Sequence, residues 1–366
     1  MRTIVRSLSV LIVLVIAITP SRAGDVTPDS LAWYEPPDWS IEGRGWTDVQ
    51  RTYDRLPAHA EELVRKPVWD LSRHSAGMSI QFRTDAQEIQ VRYSLLRPAL
   101  GKVHMAATGV SGADLYMKTP TGEWRWVGTA LPEDRIVRAS LIRQMAPGFR
   151  TFRMYLPLYN GVDSLAVGIP HGSRFEPIAA RPGKPIVMYG TSIMQGACAS
   201  RPGMAITAIL GRRLDHPLIN LGFSGNGWME PEMAGLLVEI DAAVYVLDCL
   251  PNMKPAQVRE RVEPFVRRLR AARPAAAIVL VEGRIFPNAF VIPERRQAHD
   301  ESHAALRAVF EKLRTEGMGA LYYLRGDDLL GADGEGTVDG SHPTDLGMVR
   351  YADAYEAVLR QAVRGE

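Results

Sequence analysis

Cysteine is nearly absent. The 366-residue chain holds only Cys198 and Cys249, which rules out a disulfide-built scaffold and a cysteine-rich metal fold. Charge of one sign is also lacking. There are 43 basic and 41 acidic residues, and the first 23 positions hold three of the basic ones (Arg2, Arg6 and Arg22) and none of the acidic. The remaining chain therefore carries 40 − 41 = −1 with histidine neutral. No basic excess is left to mark a nucleic acid partner or an anionic membrane surface. Beyond residue 23 no apolar run is long enough to span a bilayer. Repeats, low-complexity stretches, a His-Glu-x-x-His pattern and a Gly-x-Ser-x-Gly elbow are all missing, which removes solenoids, the common zinc hydrolases and the α/β-hydrolase layout.

What is present is ordinary globular composition, 46% apolar and 23% charged, at a length that favours two domains. Arg2 and Arg6 precede the apolar run Val10 to Ile18, then Pro20 and Ser21-Arg22-Ala23. That order reads as a secretory signal peptide over residues 1–23, with an uncleaved anchor as the competing reading. The mature protein is expected to be exported, periplasmic or extracellular. In such a compartment Cys198 and Cys249 are permitted to pair.

From Trp33 to Pro170 short alternating stretches dominate: Met78 to Arg83, Glu88 to Tyr93, Asp114 to Lys118, Trp124 to Val127, Thr151 to Leu156 and Ser164 to Ile169. They predict an antiparallel β-sandwich of jelly-roll type over residues 24–175, with a short helix or turn within Asp54 to Arg65. Gly and Pro punctuate His171 to Pro185, where the domain boundary is expected. Residues 183–366 then alternate strand and helix. Strands are predicted at Ile186–Tyr189, Pro217–Gly222, Ala243–Asp248, Ala276–Glu282 and Ala320–Leu324. Helices are predicted at Met204–Leu214, Pro231–Ile240, Pro255–Ala272, Arg296–Thr315 and Asp345–Val363, the last capped by Thr344. This is the pattern of an α/β, doubly wound, five-stranded parallel sheet in flavodoxin-like order. In a 2-1-3 order Cys198 and Cys249 follow adjacent strands, and a disulfide between them is expected.

Residues just after each strand gather on one rim of such a sheet. After the first come Gly190-Thr191-Ser192, after the second Ser224-Gly225-Asn226, after the third Cys249-Leu250-Pro251-Asn252, and after the fifth Asp339-Gly340-Ser341-His342. Serine is a weak nucleophile unless a base is within hydrogen-bond reach, and a carboxylate on the far ring nitrogen fixes the imidazole tautomer. Ser192, His342 and Asp339 supply that set. The backbone N–H groups of Ser192 and Gly225 and the side-chain amide of Asn252 are candidate oxyanion donors. Against this, Ser192 in isolation reads as a helix N-cap, Asp339 as a turn former and Gly225 as a turn glycine. Asp327 and Asp333 compete as the acid without a spacing that points at a histidine. Trp228, Glu282 and Arg284 are candidate substrate contacts, with core packing or surface pairing as the alternative. His299 and His303 stand four apart on a helix, but without a metal-binding pattern they read as a solvated face. No cofactor and no catalytic metal are expected.

These blocks resemble those of the SGNH (GDSL-type) hydrolases. Gly190-Thr191-Ser192 is similar to the first block, with threonine where the family usually has aspartate. Ser224-Gly225-Asn226 is similar to the glycine block and Pro251-Asn252-Met253 to the asparagine block, without its acidic neighbour. Asp339-Gly340-Ser341-His342-Pro343 resembles the last. Thr108 to Tyr116 and Pro67 to Ser72 resemble the accessory domain that precedes one subgroup. The resemblance implies an exported serine esterase acting on a small-molecule or glycan ester, with a carbohydrate O-acetylesterase as the leading expectation. A lipase or thioesterase for longer acyl chains, and a non-catalytic glycan-binding protein, are the alternatives. Oligomeric state is left open.

Overall fold

The computed structural model describes residues 30–327 and 329–365; the expected signal peptide, residues 1–23, lies outside them. The first ten strands are β1 (Leu31–Tyr34), β2 (Ile41–Glu42), β3 (Ser79–Thr84), β4 (Ile89–Leu95), β5 (Asp114–Lys118), β6 (Trp124–Thr129), β7 (Ile136–Ile142), β8 (Arg150–Tyr155), β9 (Val162–Pro170) and β10 (Phe175–Ile178). They form two antiparallel sheets, β1-β9-β4-β7 and β10-β3-β8-β5-β6, with β2 on the edge of β3. Alternate residues such as Ile80, Phe82, Val91, Phe152 and Val167 fill the space between the sheets. Stacking of Phe82 on Phe152, 5.6 Å between ring centres, adds about 0.5–1.5 kcal/mol to the apolar burial.

The six strands expected here are present. The four missed ones share a cause: they lie at sheet edges, where one side has no partner to enforce an apolar alternation. β7 is exposed at Ile136, and β10 is half-buried throughout and contains Pro177, which an edge tolerates. Within Asp54 to Arg65 a single 3₁₀ turn spans Ala58–Glu62, and helix α1 follows at Lys66–Ser72 with Pro67 in its first turn. A second short helix, α2, spans Ala107–Val110.

The parallel sheet is built from β11 (Ile186–Gly190), β12 (Leu218–Gly222), β13 (Val244–Asp248), β14 (Ala277–Val281) and β15 (Leu321–Leu324) in the order β12-β11-β13-β14-β15. That is the expected flavodoxin-like sequence of strands, all parallel. Every residue of β11, β12, β13 and β14 is buried, because helices cover both faces. The helices, in chain order, are α3 (Ser192–Gln195), α4 (Ile206–Arg213), α5 (Pro231–Leu237), α6 (Pro255–Ala272), α7 (Pro293–Thr315) and α8 (Asp345–Arg364). Helix α6 buries Val258, Val262, Phe265, Val266 and Leu269, each worth about 1.5–3 kcal/mol. Trp46, Leu56, Val64, Val68 and Trp69, far earlier in the chain, pack into the same cluster. The early chain thus serves as part of the covering layer of the parallel sheet. Among the described residues no helix is long and apolar enough to cross a membrane.

The expected disulfide is not formed. Cys198 and Cys249 are both free thiols. Adjacent strand ends are not enough, because the two side chains belong to opposite faces of the sheet. Cys249 is buried in the cluster that holds Tyr189 and Leu247, whereas Cys198 packs against the cluster that holds Met188 and Val246 on the other face.

Candidate active site

Strand β11 ends at Gly190, and Thr191 begins a single turn of helix. The Thr191 hydroxyl accepts a hydrogen bond from the Ile193 N–H at 3.3 Å, so threonine is the N-cap. The Ser192 Oγ is thereby free of the capping role a serine usually takes at this position. It lies 2.9 Å from His342 Nε2. Gly196, at φ 104°, closes the turn.

His342 reaches that place through a loop that holds itself together. Asp339 Oδ1 accepts from the N–H groups of Ser341 and His342 at 2.9 and 2.8 Å, while Oδ2 lies 2.7 Å from His342 Nδ1. The loop is fixed from outside by Arg284, whose guanidinium donates to the carbonyl and hydroxyl of Ser341. Partial burial raises the Asp339 pKa, but the hydrogen bonds from His342 and Ser341 outweigh it and hold the group at about 2. An ionised Asp339 accepts from Nδ1–H, which leaves Nε2 with the lone pair that faces Ser192.

The second strand end supplies the opposite wall. A Cβ on Gly222 would stand 2.1 Å from the Gln195 nitrogen, so only glycine lets β12 pass under the α3 turn. Gln195 is buried and bridges the two pieces: its Oε1 accepts from Ser224 N at 3.1 Å and its Nε2 donates to Leu158 O at 3.1 Å. Gly225 is exposed at φ 70° with open space where a side chain would project. Asn252 ends a 3₁₀ turn after β13, and its Oδ1 accepts from Gly227 N at 3.3 Å. That bond orients the Asn252 amide beside the Gly225 loop and leaves its N–H₂ outside the contact.

Arg55 was not legible as a site residue. It is fully buried, donates from Nε to His74 O at 2.9 Å, from Nη2 to Leu71 O at 2.7 Å and from Nη1 to Gly222 O at 2.7 Å, and lies over the Phe223 ring. Burial lowers its pKa to about 9. Nothing in the local sequence marks an isolated arginine in a turn as the brace of a strand 165 residues away. Asp114, inside the Thr108 to Tyr116 block, has a similar use. It accepts from Trp126 and Thr129 in its own sheet and from Arg201 Nη1 (2.6 Å) and Gly203 N (3.0 Å) in the segment after α3.

The three expected substrate contacts separate. Trp228 is half-buried near the rim, with the Arg65 guanidinium stacked 3.9 Å above its ring. Glu282 does not face the cleft: it is buried, and its oxygens accept from Tyr323, Arg307 and Gly326 N. Arg284 is likewise buried and occupied with Ser341 and the Phe286 ring. Glu282 is turned inward because a residue after a strand reaches the rim only when its side chain points up from it, whereas Arg284 lines the cavity beside the Leu250–Asn252 turn. His299 and His303 are buried, not solvated: His299 Nε2 accepts from Phe286 N, and His303 Nε2 bonds Gly283 O at 2.8 Å. Asp327 pairs with Arg325 and Asp333 with Arg350. Beside His342, one donor atom each of His104, Cys198 and His342 lie within 4.8 Å of one another, a group able to hold a metal.

Asp248, the last residue of β13, is buried beneath this rim and accepts from the Tyr355 hydroxyl at 2.7 Å. Burial lifts its pKa from 3.8 to about 6, against the lowering effect of Tyr355 and Arg284. The folded state therefore holds this proton more tightly than the unfolded chain. The contribution of Asp248 to stability is greatest below pH 4, declines as pH rises toward 6 and is flat above. Asp248→Asn keeps the acceptor for Tyr355 without the charge. It should raise thermal stability at pH 8 by about 2–3 kcal/mol and change it little at pH 4. Parallel melting profiles for the two proteins across pH 4–8 would refute this.

A parallel sheet with a serine, an imidazole and a carboxylate in hydrogen-bonded series at its carboxyl rim is an arrangement suited to acyl transfer. Comparison with known proteins agrees. The model of the GDSL-like lipase/acylhydrolase family matches residues 183–360, and that of the N-terminus of SGNH-hydrolase-type esterases matches residues 31–175. A candidate GDSL-like lipase from Bacteroides ovatus is 31% identical, superposes with a TM-score of 0.86, and the match covers 91% of this chain and 98% of that one. The chain belongs to the GDSL-like (SGNH) lipase/acylhydrolase family, in the form that carries this N-terminal domain. A salicylyl acyltransferase from a tetracycline biosynthetic pathway shares the fold at 20% identity and a TM-score of 0.72, over 92% of this chain and 99% of that one. A family two carbohydrate esterase from Cellvibrio japonicus does so at 13% identity and 0.60, over 92% and 99%. No curated protein matches the sequence.

Proposed function

We propose that this protein is an exported serine ester hydrolase that removes short acyl groups, acetyl above all, from a carbohydrate. The observation that carries the reading is the continuous series Ser192 Oγ to His342 Nε2 (2.9 Å) and His342 Nδ1 to Asp339 Oδ2 (2.7 Å). As Ser192 Oγ attacks the ester carbonyl, its proton passes to His342 Nε2, and Asp339 stabilises the imidazolium. The carbonyl oxygen becomes negative against the N–H groups of Ser192 and Gly225 and the Asn252 amide. His342 then returns the proton to the departing alkoxide, the alcohol leaves, and water repeats the steps on the acyl-enzyme to release the acid.

Two features support a short acyl group on a bulky polar alcohol. Gly225 is exposed, with open space where a side chain would project. The cavity next to the Asn252 turn, walled by Leu250, Pro251, Phe286 and His299, measures only about 280 Å³. Export is supported by the leader-like residues 1–23, and a division into residues 24–175 and 183–366 by the two family matches. The rival reading, hydrolysis of longer acyl chains, is favoured by one feature. An apolar cavity of about 620 Å³ lies between α1, α5 and α6, floored by Val68, Met233 and Phe265. Its wall residue Arg65 also bonds Asn226 of the Gly225 loop. A nitrophenyl ester series with acetylated oligosaccharides beside it separates the two. The expected result is highest kcat/KM on acetate and release of acetate from the oligosaccharides; activity rising from acetate to octanoate overturns it.

A further inference from the structure

Beside His342 the fold places two donors, His104 and Cys198, that ester hydrolysis does not use. His104 lies in the exposed turn between β4 and α2, Cys198 follows the glycine that ends α3, and His342 sits before α8. One donor atom from each lies within 4.8 Å of the other two, and the His104 and His342 rings are 5.5 Å apart. Tetrahedral zinc with imidazole and thiolate ligands holds its donors about 3.4–3.7 Å apart, so movements of about 1 Å complete the set. Cys198 is already turned toward it. Its backbone has φ 67°, a left-handed conformation that a residue with a side chain adopts only at a cost, and its thiol donates to the His104 carbonyl at 3.2 Å. Sulfur and imidazole nitrogen are what a zinc-like cation prefers, and three protein ligands leave the fourth position for water.

We propose that His104, Cys198 and His342 form an inhibitory site for a divalent zinc-like ion. The proposal rests on His342 being the general base of the reading above. Both of its ring nitrogens are engaged, Nε2 with Ser192 and Nδ1 with Asp339. A metal on either one breaks a hydrogen bond that proton transfer requires, so metal binding and turnover exclude each other. On binding, the Cys198 S–H bond breaks, its proton goes to solvent, and the sulfur lone pair forms the bond to the metal; no electron is transferred. The site also joins the two halves of the chain, since His104 belongs to the N-terminal half and the other two ligands to the C-terminal half.

The test uses Co²⁺ and Zn²⁺ on the full chain. With Ser192→Ala, Co²⁺ is expected to give a thiolate-to-cobalt charge-transfer absorption that Zn²⁺ abolishes and that Cys198→Ser lacks. In the esterase assay, Zn²⁺ is expected to inhibit the wild type. Losing an outer-sphere partner costs about 10–100-fold in metal affinity, so losing a ligand through Cys198→Ser or His104→Ala should raise the half-inhibitory concentration at least that much. Activity of both variants without metal should match the wild type. Absence of the charge-transfer absorption, or equal inhibition of wild type and variants, overturns the site. The cobalt spectrum needs no turnover, so it decides the metal site even if the chain proves to have no esterase activity.

Discussion

Ser192→Ala should lower kcat/KM for nitrophenyl acetate by about 10⁴–10⁶-fold, the loss measured when the nucleophile of a serine triad is removed. The residue below it in the series should act more mildly. Asp339 fixes a tautomer and does not itself exchange the proton, so its loss is expected at about 10⁴. Folding should be unaffected by Ser192→Ala, because the helix cap is made by Thr191 and not by the serine. That separation makes the experiment decisive: an unchanged melting temperature with lost activity assigns the nucleophile. Retention of wild-type activity would remove Ser192 from the mechanism, and the serine-nucleophile reading with it.

Arg55→Leu should act through stability. The substitution leaves the buried carbonyls of His74 and Gly222 without this donor, while the half-buried Leu71 carbonyl still accepts from the His74 N–H. Each buried acceptor deprived of its partner costs about 1–3 kcal/mol, so a total of at least about 2 kcal/mol is expected. Leucine fills part of the volume against Phe223, which keeps the loss from reflecting a cavity alone. Because Gly222 leads directly into the Gly225 loop, activity at moderate temperature should fall along with the melting temperature. Denaturant unfolding checks the first claim and kcat the second. A loss under 1 kcal/mol would show that water or a shifted backbone takes over the carbonyls.

The two predictions mark the division between what the sequence reveals and what it hides. Strand ends such as Gly190 and Asp248 were readable because a fully buried parallel strand is a continuous apolar run closed by a polar or glycine residue. Asp339 and His342 were readable because three residues of one turn carry their own geometry. Edge strands β7 and β10 were not, since half-exposed positions impose no pattern. Glu282 stands at the expected strand end but turns inward, as a side chain's orientation there depends on partners such as Tyr323, 41 residues away. The Cys198–Cys249 pairing failed for the same reason: strand order was legible, the face of the sheet was not.

By itself the sequence determined the family, the five-stranded parallel sheet and the serine, histidine and aspartate that can act together, because these depend on local patterns repeated in order along the chain. Tertiary structure alone decided that Thr191 takes the cap and leaves Ser192 free, and that Arg55 and Gln195 brace the Gly225 loop. It alone brought His104 to the His342 ring. Those outcomes rest on contacts between residues 29 or more positions apart or on competition for a single hydrogen bond, and neither leaves a period in the sequence.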